Sequence, residues 1–120
     1  MRALSRSANS PGYPLTSGTA ELRDAIVSYL TRRWGATELD PSATLPVIGT
    51  KELVAWLPTL LGLGRDDLVV YPTMAYPTYL VGAKIAGCRA VACDDLDQLG
   101  DARPSLIWIN SPSNPTGQIL

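Results

Sequence analysis

Hydrophobic residues recur at helical spacing in three stretches of the chain. The clearest stretch lies between Gly18 and Gly35, with Thr19 or Gly18 as the cap of the predicted helix and Gly35 at its end. Its apolar positions are Leu22, Ile26, Tyr29, Leu30 and Trp34. The runs "KELVAWLPTLLGLG", residues 51–64, and "YPTYLVGAKIAG", residues 76–87, predict two further helices.

Four shorter apolar runs lack polar alternation and predict strands. They are "ATLPVIGT" at 43–50, "DLVVYP" at 67–72, "RAVAC" at 89–93 and "PSLIWIN" at 104–110. Such strands, separated by helices, are typical of a mainly parallel sheet with helices on both faces. We therefore expect an α/β fold. Residues 1–18, rich in Ser, Gly and Pro, predict an N-terminal arm or loop, and the 120 residues are enough for one ordinary domain with a modest core.

The charge pattern excludes several kinds of partner. Ten basic and eleven acidic side chains leave a net charge of -1, and no Lys/Arg cluster could follow a phosphate backbone. No apolar run reaches the roughly 18 to 20 residues that span a bilayer. The first residues, "MRALSRSANSPG", have no apolar core of a secretory signal. We therefore expect a cytoplasmic protein with no nucleic-acid and no membrane partner.

Two residue types limit the chemistry further. The chain contains no histidine, which excludes His-based triads, His metal sites and imidazole acid–base catalysis within these 120 residues. Cys88 and Cys93 lie in a strand-like segment without a metal-ligand pattern, so we expect no metal and two reduced thiols.

Ligands of open α/β sheets gather at the carboxyl ends of the strands. The loops predicted there are "IGTKE", "YPTMAYPTY" and "NSPSNPTG". All three combine residues that suit binding as well as turning. The sequence therefore predicts a binding site formed by these loops.

Gly49, Thr50 and Lys51 stand between a predicted strand and a predicted helix. The free N–H groups of a first helical turn favour an anion, Thr50 adds a hydroxyl donor, and Gly49 allows close approach to the backbone. The alternative is an ordinary strand-to-helix turn with a Thr cap. The chain has neither GxGxxG nor GxxxxGK[ST], so a dinucleotide site and a nucleoside-triphosphate loop have no support.

The other two loops also allow two interpretations each. Tyr76 and Tyr79 could stack on a planar ligand or simply pack at the rim of the core. Pro115 and Gly117 predict a tight turn that holds the Asn114 side chain, although an Asn-Pro turn also occurs without function. By itself, Tyr13 in "GYPLTSG" carries little information.

The order of these segments carries a family resemblance. "GYPLTSGTAELRDAI", "LPVIGTKEL", "YPTMAYPTYLVGAKIAG" and "WINSPSNPTG" together resemble the N-terminal part of class I/II aminotransferases, fold-type I enzymes that use pyridoxal 5′-phosphate. "IGTKELVAWLPTLLGLG" with "AYPTYLVGA" and "NSPSNPTG" is most similar to the actinobacterial type of N-succinyldiaminopimelate aminotransferase. The resemblance runs from about Ala3 to Leu120 and implies that residues 19–120 belong to the large, cofactor-binding domain.

The resemblance gives each loop a role. The amides of Thr50 and Lys51 and the Thr50 hydroxyl would hold the cofactor phosphate, next to Gly49. Tyr76 would stack on the pyridine ring. Asn114 would donate a hydrogen bond to the phenolic oxygen of the cofactor.

The resemblance also implies a homodimer and a longer protein. Tyr13 matches a tyrosine that reaches the phosphate of the neighbouring subunit's cofactor in family dimers. Family members are roughly three times this length. Lys51 and Lys84 are the only lysines, and neither matches the lysine that forms the Schiff base. We therefore expect an N-terminal fragment with no catalytic residue of its own, inactive alone.

The implied activity is transamination between glutamate and an oxo acid, N-succinyl-2-amino-6-oxopimelate, in diaminopimelate and lysine biosynthesis. Two alternatives remain open at this point. One is another enzyme with the same cofactor cradle, a carbon–sulfur lyase or a decarboxylase. The other is a non-catalytic aminotransferase-like fragment.

Overall fold

A computed structural model describes residues 2–10 and 12–119 of the chain. The chain divides into two compact units, Met1–Ile48 and Gly49–Leu120. None of the helices in the described residues combines the length and the apolar character that crossing a bilayer requires.

The first unit begins with a short helix, α1, at Arg2–Ser7. The segment predicted as an arm or loop therefore contains a helix at these residues. Arg, Ala and Leu are good helix formers, and the Gly and Pro residues that suggested a loop come only later in the segment. All described residues of α1 are exposed.

The predicted long helix is confirmed as α2, Ala20–Trp34. Thr19 is its N-cap, and the Thr19 hydroxyl accepts a hydrogen bond from the Leu22 N–H at 3.2 Å. Gly35 ends the helix in the left-handed region, with φ at 66°, and its N–H bonds to the carbonyls of Leu30 and Thr31.

The strand predicted at 43–50 does not form. A short 3₁₀ helix occupies Pro41–Ala43, and residues 44–48 pair with no strand in the part of the chain that the structure describes. Pro46 has no N–H to donate to a ladder, so this apolar run stays irregular.

The second unit contains the parallel sheet. Its elements are α3 at Thr50–Leu60, β1 at Leu68–Tyr71, α4 at Thr78–Ile85, β2 at Arg89–Ala92, a 3₁₀ helix at Leu96–Leu99 and β3 at Leu106–Ile107. The strand order is β2-β1-β3, and both pairings are parallel. The predicted α/β class with a parallel sheet is thus confirmed.

The central strand β1 forms the core of this unit. Leu68, Val69 and Val70 are buried, together with Ala83 of α4, which packs against β1 and β2. The register pairs Val69 with Ala90 on one side and with Leu106 on the other. Because all three strands run in the same direction, the loops that follow them emerge at the same edge of the sheet.

Helices α3 and α4 approach each other closely at Gly82. A Cβ atom on Gly82 would lie 2.7 Å from the Val54 carbonyl oxygen and 2.9 Å from that of Ala55. Pro58, four residues after Val54, has no N–H to offer that carbonyl. The glycine therefore sets the separation of the two helices, whose first turns both contribute to the site described next.

Candidate functional site

A cavity of about 370 Å³ lies within the second unit. It joins the first turn of α3, the loop before α4 and the loop after β3. Its lining residues are Thr50, Lys51, Val54, Tyr76, Tyr79, Asn110 and Asn114. Five of the residues singled out from the sequence thus meet at one cavity: Thr50, Lys51, Tyr76, Tyr79 and Asn114.

The first turn of α3 presents backbone donors without a side-chain cap. Gly49 is the N-cap and makes no side-chain cap hydrogen bond, whereas Thr19 caps the start of α2. Thr50 and Lys51 follow Gly49 directly and line the cavity. The N–H groups, the Thr50 hydroxyl and the Lys51 ammonium group together provide the donors that an anion requires.

The backbone at Gly49 leaves room for a ligand. Its φ is -179°, an extended conformation that any residue adopts. A Cβ atom there would meet only the Glu52 Oε2 atom within 4 Å, at 3.4 Å. The absence of a side chain at Gly49 is thus not required by the packing of the chain itself.

Two tyrosines at the start of α4 supply aromatic surface. Tyr76 is 47% exposed, and its carbonyl accepts a hydrogen bond from the Tyr79 N–H at 3.2 Å. The Tyr79 ring packs against Trp108, with ring centroids 5.2 Å apart and planes tilted by 37°. Tyr79 therefore fits both interpretations left open by the sequence. It lines the cavity, and it also packs against Trp108, the residue that follows β3.

The loop after β3 is closed by its own hydrogen bonds. The Gly117 N–H donates to the Ser113 carbonyl at 2.6 Å, and the Ser113 N–H donates to the Gln118 carbonyl at 2.7 Å. The peptide bonds before Pro112 and Pro115 are cis, and Gly117 has φ at 73°. These contacts form the tight turn that the sequence predicted around Asn114.

Sequence reasoning missed two lining residues, Val54 and Asn110. Val54 stands four residues after Thr50 on α3, a spacing that places both side chains on one helix face and could have identified it. Asn110 carried no signal of its own. Its Oδ1 atom accepts a hydrogen bond from the Asn114 N–H at 2.9 Å, a contact that depends on the folded turn.

Tyr13 belongs to the first unit, and its side chain is 99% exposed. Its predicted role toward a neighbouring subunit stays a prediction.

One carboxylate anchors the loop that carries Tyr76. Asp94, which follows β2, accepts hydrogen bonds from the Thr73 hydroxyl and, at 2.9 Å, from the Thr73 N–H. The Thr73 hydroxyl, followed by the N–H, holds the pKa of Asp94 below its usual value.

The donor set of the cavity fits a phosphorylated planar ring. The start of α3 suits a phosphate, the Tyr76 ring offers a face for stacking, and the Asn114 side chain can donate to a ring oxygen. Among the described residues, no group of three or more His, Cys, Asp or Glu could hold a metal ion. The donors and the aromatic face of the cavity are chemically suited to an anionic aromatic cofactor.

Comparison with known families assigns the chain. The sequence profile of aminotransferase class I and II matches residues 2–120. The chain belongs to the class I and II aminotransferases. This family depends on pyridoxal 5′-phosphate, a phosphorylated planar ring of the kind that the cavity suits.

Individual relatives agree with this assignment. A probable aminotransferase of Mycobacterium tuberculosis is 60% identical over 118 residues, which are 98% of this chain and 28% of the relative. The 4-dedimethylamino-4-oxo-anhydrotetracycline transaminase OxyQ of Streptomyces rimosus is 49% identical, over 98% of this chain and 33% of its own length.

A solved structure gives the same picture for the fold. N-succinyldiaminopimelate aminotransferase from Mycobacterium tuberculosis superposes with a TM-score of 0.77 at 30% identity. The match covers 98% of this chain and 33% of that protein. The chain thus spans about a third of the length of these aminotransferases.

Proposed function

We propose that the protein containing this chain is a pyridoxal-phosphate-dependent transaminase that acts as a cytoplasmic homodimer. It transfers an amino group between glutamate and an oxo acid, N-succinyl-2-amino-6-oxopimelate. The observation that carries the proposal is that a helix start, an exposed aromatic ring and a side-chain amide line the same cavity. The family assignment supports the same chemistry.

Each lining residue has a task in this proposal. The N–H groups of Thr50 and Lys51 and the Thr50 hydroxyl bind the phosphate, and Lys51 balances part of its charge. Gly49 leaves space for a phosphate oxygen beside the backbone. The Tyr76 ring stacks on the pyridine ring, and the Asn114 amide donates a hydrogen bond to the phenolic oxygen.

When bound, the cofactor supplies the electron sink for transamination. The residues of this chain orient it and set its electrostatic surroundings. The Asn114 donor favours the ionised form of the phenolic oxygen, because a hydrogen bond to a charged form stabilises that form. Tyr76 restricts the tilt of the ring from one face.

We further propose that Tyr13 reaches the cofactor phosphate of the neighbouring subunit. Its fully accessible side chain is free to contact a partner. This role would make the dimer necessary for full cofactor binding.

The substrate choice has its own support. The family resemblance of the sequence points to N-succinyldiaminopimelate aminotransferases, and a structure with that name matches 98% of this chain. The relative named for an anhydrotetracycline substrate offers a different oxo compound for comparison. We favour the oxo acid because the segments "IGTKELVAWLPTLLGLG" and "AYPTYLVGA" resemble the diaminopimelate type.

The 120-residue chain alone should not catalyse the reaction. Lys51 belongs to the proposed phosphate turn, and Lys84 lies exposed on α4. We expect borohydride reduction of the cofactor-loaded full-length protein, followed by peptide mapping, to label a lysine outside residues 1–120. A stoichiometric label on Lys51 or Lys84 would contradict this assignment.

An assay of the purified full-length protein tests the function. With glutamate and N-succinyl-2-amino-6-oxopimelate, we expect stoichiometric 2-oxoglutarate, whereas release of carbon dioxide or sulfide from amino acids would support a decarboxylase or a lyase instead. Parallel assays with the oxo substrate of the tetracycline transaminase should give a much lower kcat/KM. The opposite preference would overturn the substrate choice while leaving the transaminase class intact.

A further inference from the structure

Two neighbouring strands are linked beyond their ends by a single side chain. Tyr71, the last residue of β1, pairs with Ala92, the last residue of β2. One more main-chain bond follows, from the Cys93 N–H to the Tyr71 carbonyl at 2.9 Å. Thr73 and Asp94 stand two residues beyond the paired strand ends.

The side chain of Asp94 continues the link where the main-chain ladder stops. Its two carboxylate oxygens accept the Thr73 N–H, at 2.9 Å, and the Thr73 hydroxyl. A carboxylate that accepts two hydrogen bonds from one residue fixes both the backbone and the side chain of that residue. Thr73 is thus held against β2 although its own side chain is exposed.

The segment held in this way leads directly to Tyr76. Its far end is fixed by the start of α4, through the Tyr79 N–H to the Tyr76 carbonyl at 3.2 Å and the Val81 N–H to the Pro77 carbonyl at 3.1 Å. Asp94 fixes the near end at Thr73. Between these two anchors, the backbone has little freedom to move the Tyr76 ring away from the cavity.

We propose that Asp94 is a positioning residue for Tyr76. By holding Thr73, it keeps the Tyr76 ring at the wall of the cavity, so that the ring meets the cofactor without first having to be ordered. This inference rests on the proposed function, in which Tyr76 stacks on the pyridine ring. Preorganisation of this kind strengthens binding because the ordering cost is met during folding.

A merely structural Asp94 would stabilise the sheet without acting through Tyr76. A double-mutant cycle separates the two possibilities, because residues that act through one another give non-additive effects. The full-length protein is loaded with pyridoxal 5′-phosphate, and the dissociation constant is measured by equilibrium dialysis beside the melting temperature. The circular dichroism of the bound cofactor reports the ring environment independently of activity.

We expect Asp94→Ala to weaken cofactor binding by about five- to tenfold, as the loss of hydrogen bonds to a charged group suggests. The cofactor dichroism should change with it. In a Tyr76→Leu background, the same substitution should change binding by less than about twofold. Asp97→Ala is the matched control, since it removes the same charge from a nearby exposed carboxylate that, among the described residues, accepts no hydrogen bond.

Thr73→Val and Asp94→Asn keep the test decisive if Asp94→Ala does not fold. Each retains one part of the link, and each should give a smaller loss of affinity at a melting temperature close to that of the parent. Equal binding by the parent and all three variants, or fully additive losses in the Tyr76→Leu background, would overturn the inference alone. A folded parent that fails to bind pyridoxal 5′-phosphate would overturn the proposed function, and this inference with it.

Discussion

The backbone N–H of Asn114 donates a hydrogen bond to the Oδ1 atom of Asn110 at 2.9 Å, across the loop that follows β3. Both residues line the same cavity. Asn110 therefore supports the backbone from which the Asn114 amide extends. Asn114, which is proposed to bind the cofactor, and Asn110, which supports it, lie in one short loop. Substituting each residue separately can distinguish their contributions.

Replacing Asn110 should loosen Asn114 without removing its side chain. In Asn110→Ala, we expect faster hydrogen exchange of the loop 110–119 and a cofactor affinity lower by about 0.5–1.5 kcal/mol, the net contribution of one hydrogen bond. Hydrogen exchange measured by mass spectrometry on the full-length protein checks the first effect. Asn110→Asp keeps the acceptor oxygen and should exchange like the parent, so faster exchange in that control would contradict the assigned contact.

Replacing Thr50 tests the phosphate turn. Thr50→Val preserves shape but removes the hydroxyl, and loss of a hydrogen bond to a charged group should weaken cofactor binding by about 1.5–3 kcal/mol. Thr50→Ser keeps the hydroxyl and should bind nearly as well as the parent. Cofactor titration of both variants shows whether the Thr50 hydroxyl contributes to binding. Unchanged affinity in Thr50→Val would mean that Thr50 only begins the helix.

Adding a side chain at Gly49 tests whether the space there belongs to a ligand. The extended φ of -179° and the single neighbour at 3.4 Å predict that Gly49→Ala folds with a melting temperature close to that of the parent. The new methyl group should nevertheless reduce cofactor affinity by obstructing a phosphate oxygen. If Gly49→Ala binds the cofactor normally, the phosphate does not approach this part of the backbone.

The hydrogen bonds of Asp67 should make the free energy of unfolding depend on pH in a specific way. The Ser105 hydroxyl, at 2.6 Å, and then the Gly64 N–H, at 2.8 Å, hold the pKa of Asp67 below its usual value. Because the folded pKa lies below the unfolded value of about 3.9, the stabilisation is present above that value. It is lost as the pH falls from there through the lower folded pKa.

Urea unfolding of the full-length protein between pH 7 and pH 3 measures this effect. Ser105→Ala should lower the free energy of unfolding at pH 7 and flatten its decline in acid. Asp66→Asn is the control, because that neighbouring carboxylate is exposed and makes no hydrogen bond in the described structure. A parent-like pH profile in Ser105→Ala would refute the linkage.

Local sequence patterns predicted most of the fold. The run "LVV" in β1 has no polar residue facing either side of the sheet, and it forms the central, buried strand. Thr19 and Gly35 correctly predicted the two ends of α2. The error at 43–50 has a physical origin, because an apolar extended run becomes a strand only where another strand pairs with it. The helix α1 was missed because the Ser, Gly and Pro content of residues 1–18 suggested a loop, although its own Arg, Ala and Leu favour a helix.

The candidate site was predicted less completely than the fold. Thr50, Tyr76 and Asn114 stood out because Gly, Pro and aromatic residues mark loops at strand ends. Asn110 and Asp94 did not, since their contacts depend on turn geometry and on strand register. The Thr73–Asp94 link, for example, joins residues 21 positions apart, and only the pairing of β1 with β2 brings them together.

The crystal structure of the full-length protein with pyridoxal 5′-phosphate tests the central claim most directly. We expect the phosphate within about 3 Å of the Thr50 and Lys51 N–H groups and the Thr50 hydroxyl. The Tyr76 ring should face the pyridine ring, and the Asn114 amide should meet the phenolic oxygen. A cofactor bound elsewhere, or bound here with the Tyr76 ring and the Asn114 amide both turned away from it, would contradict this account.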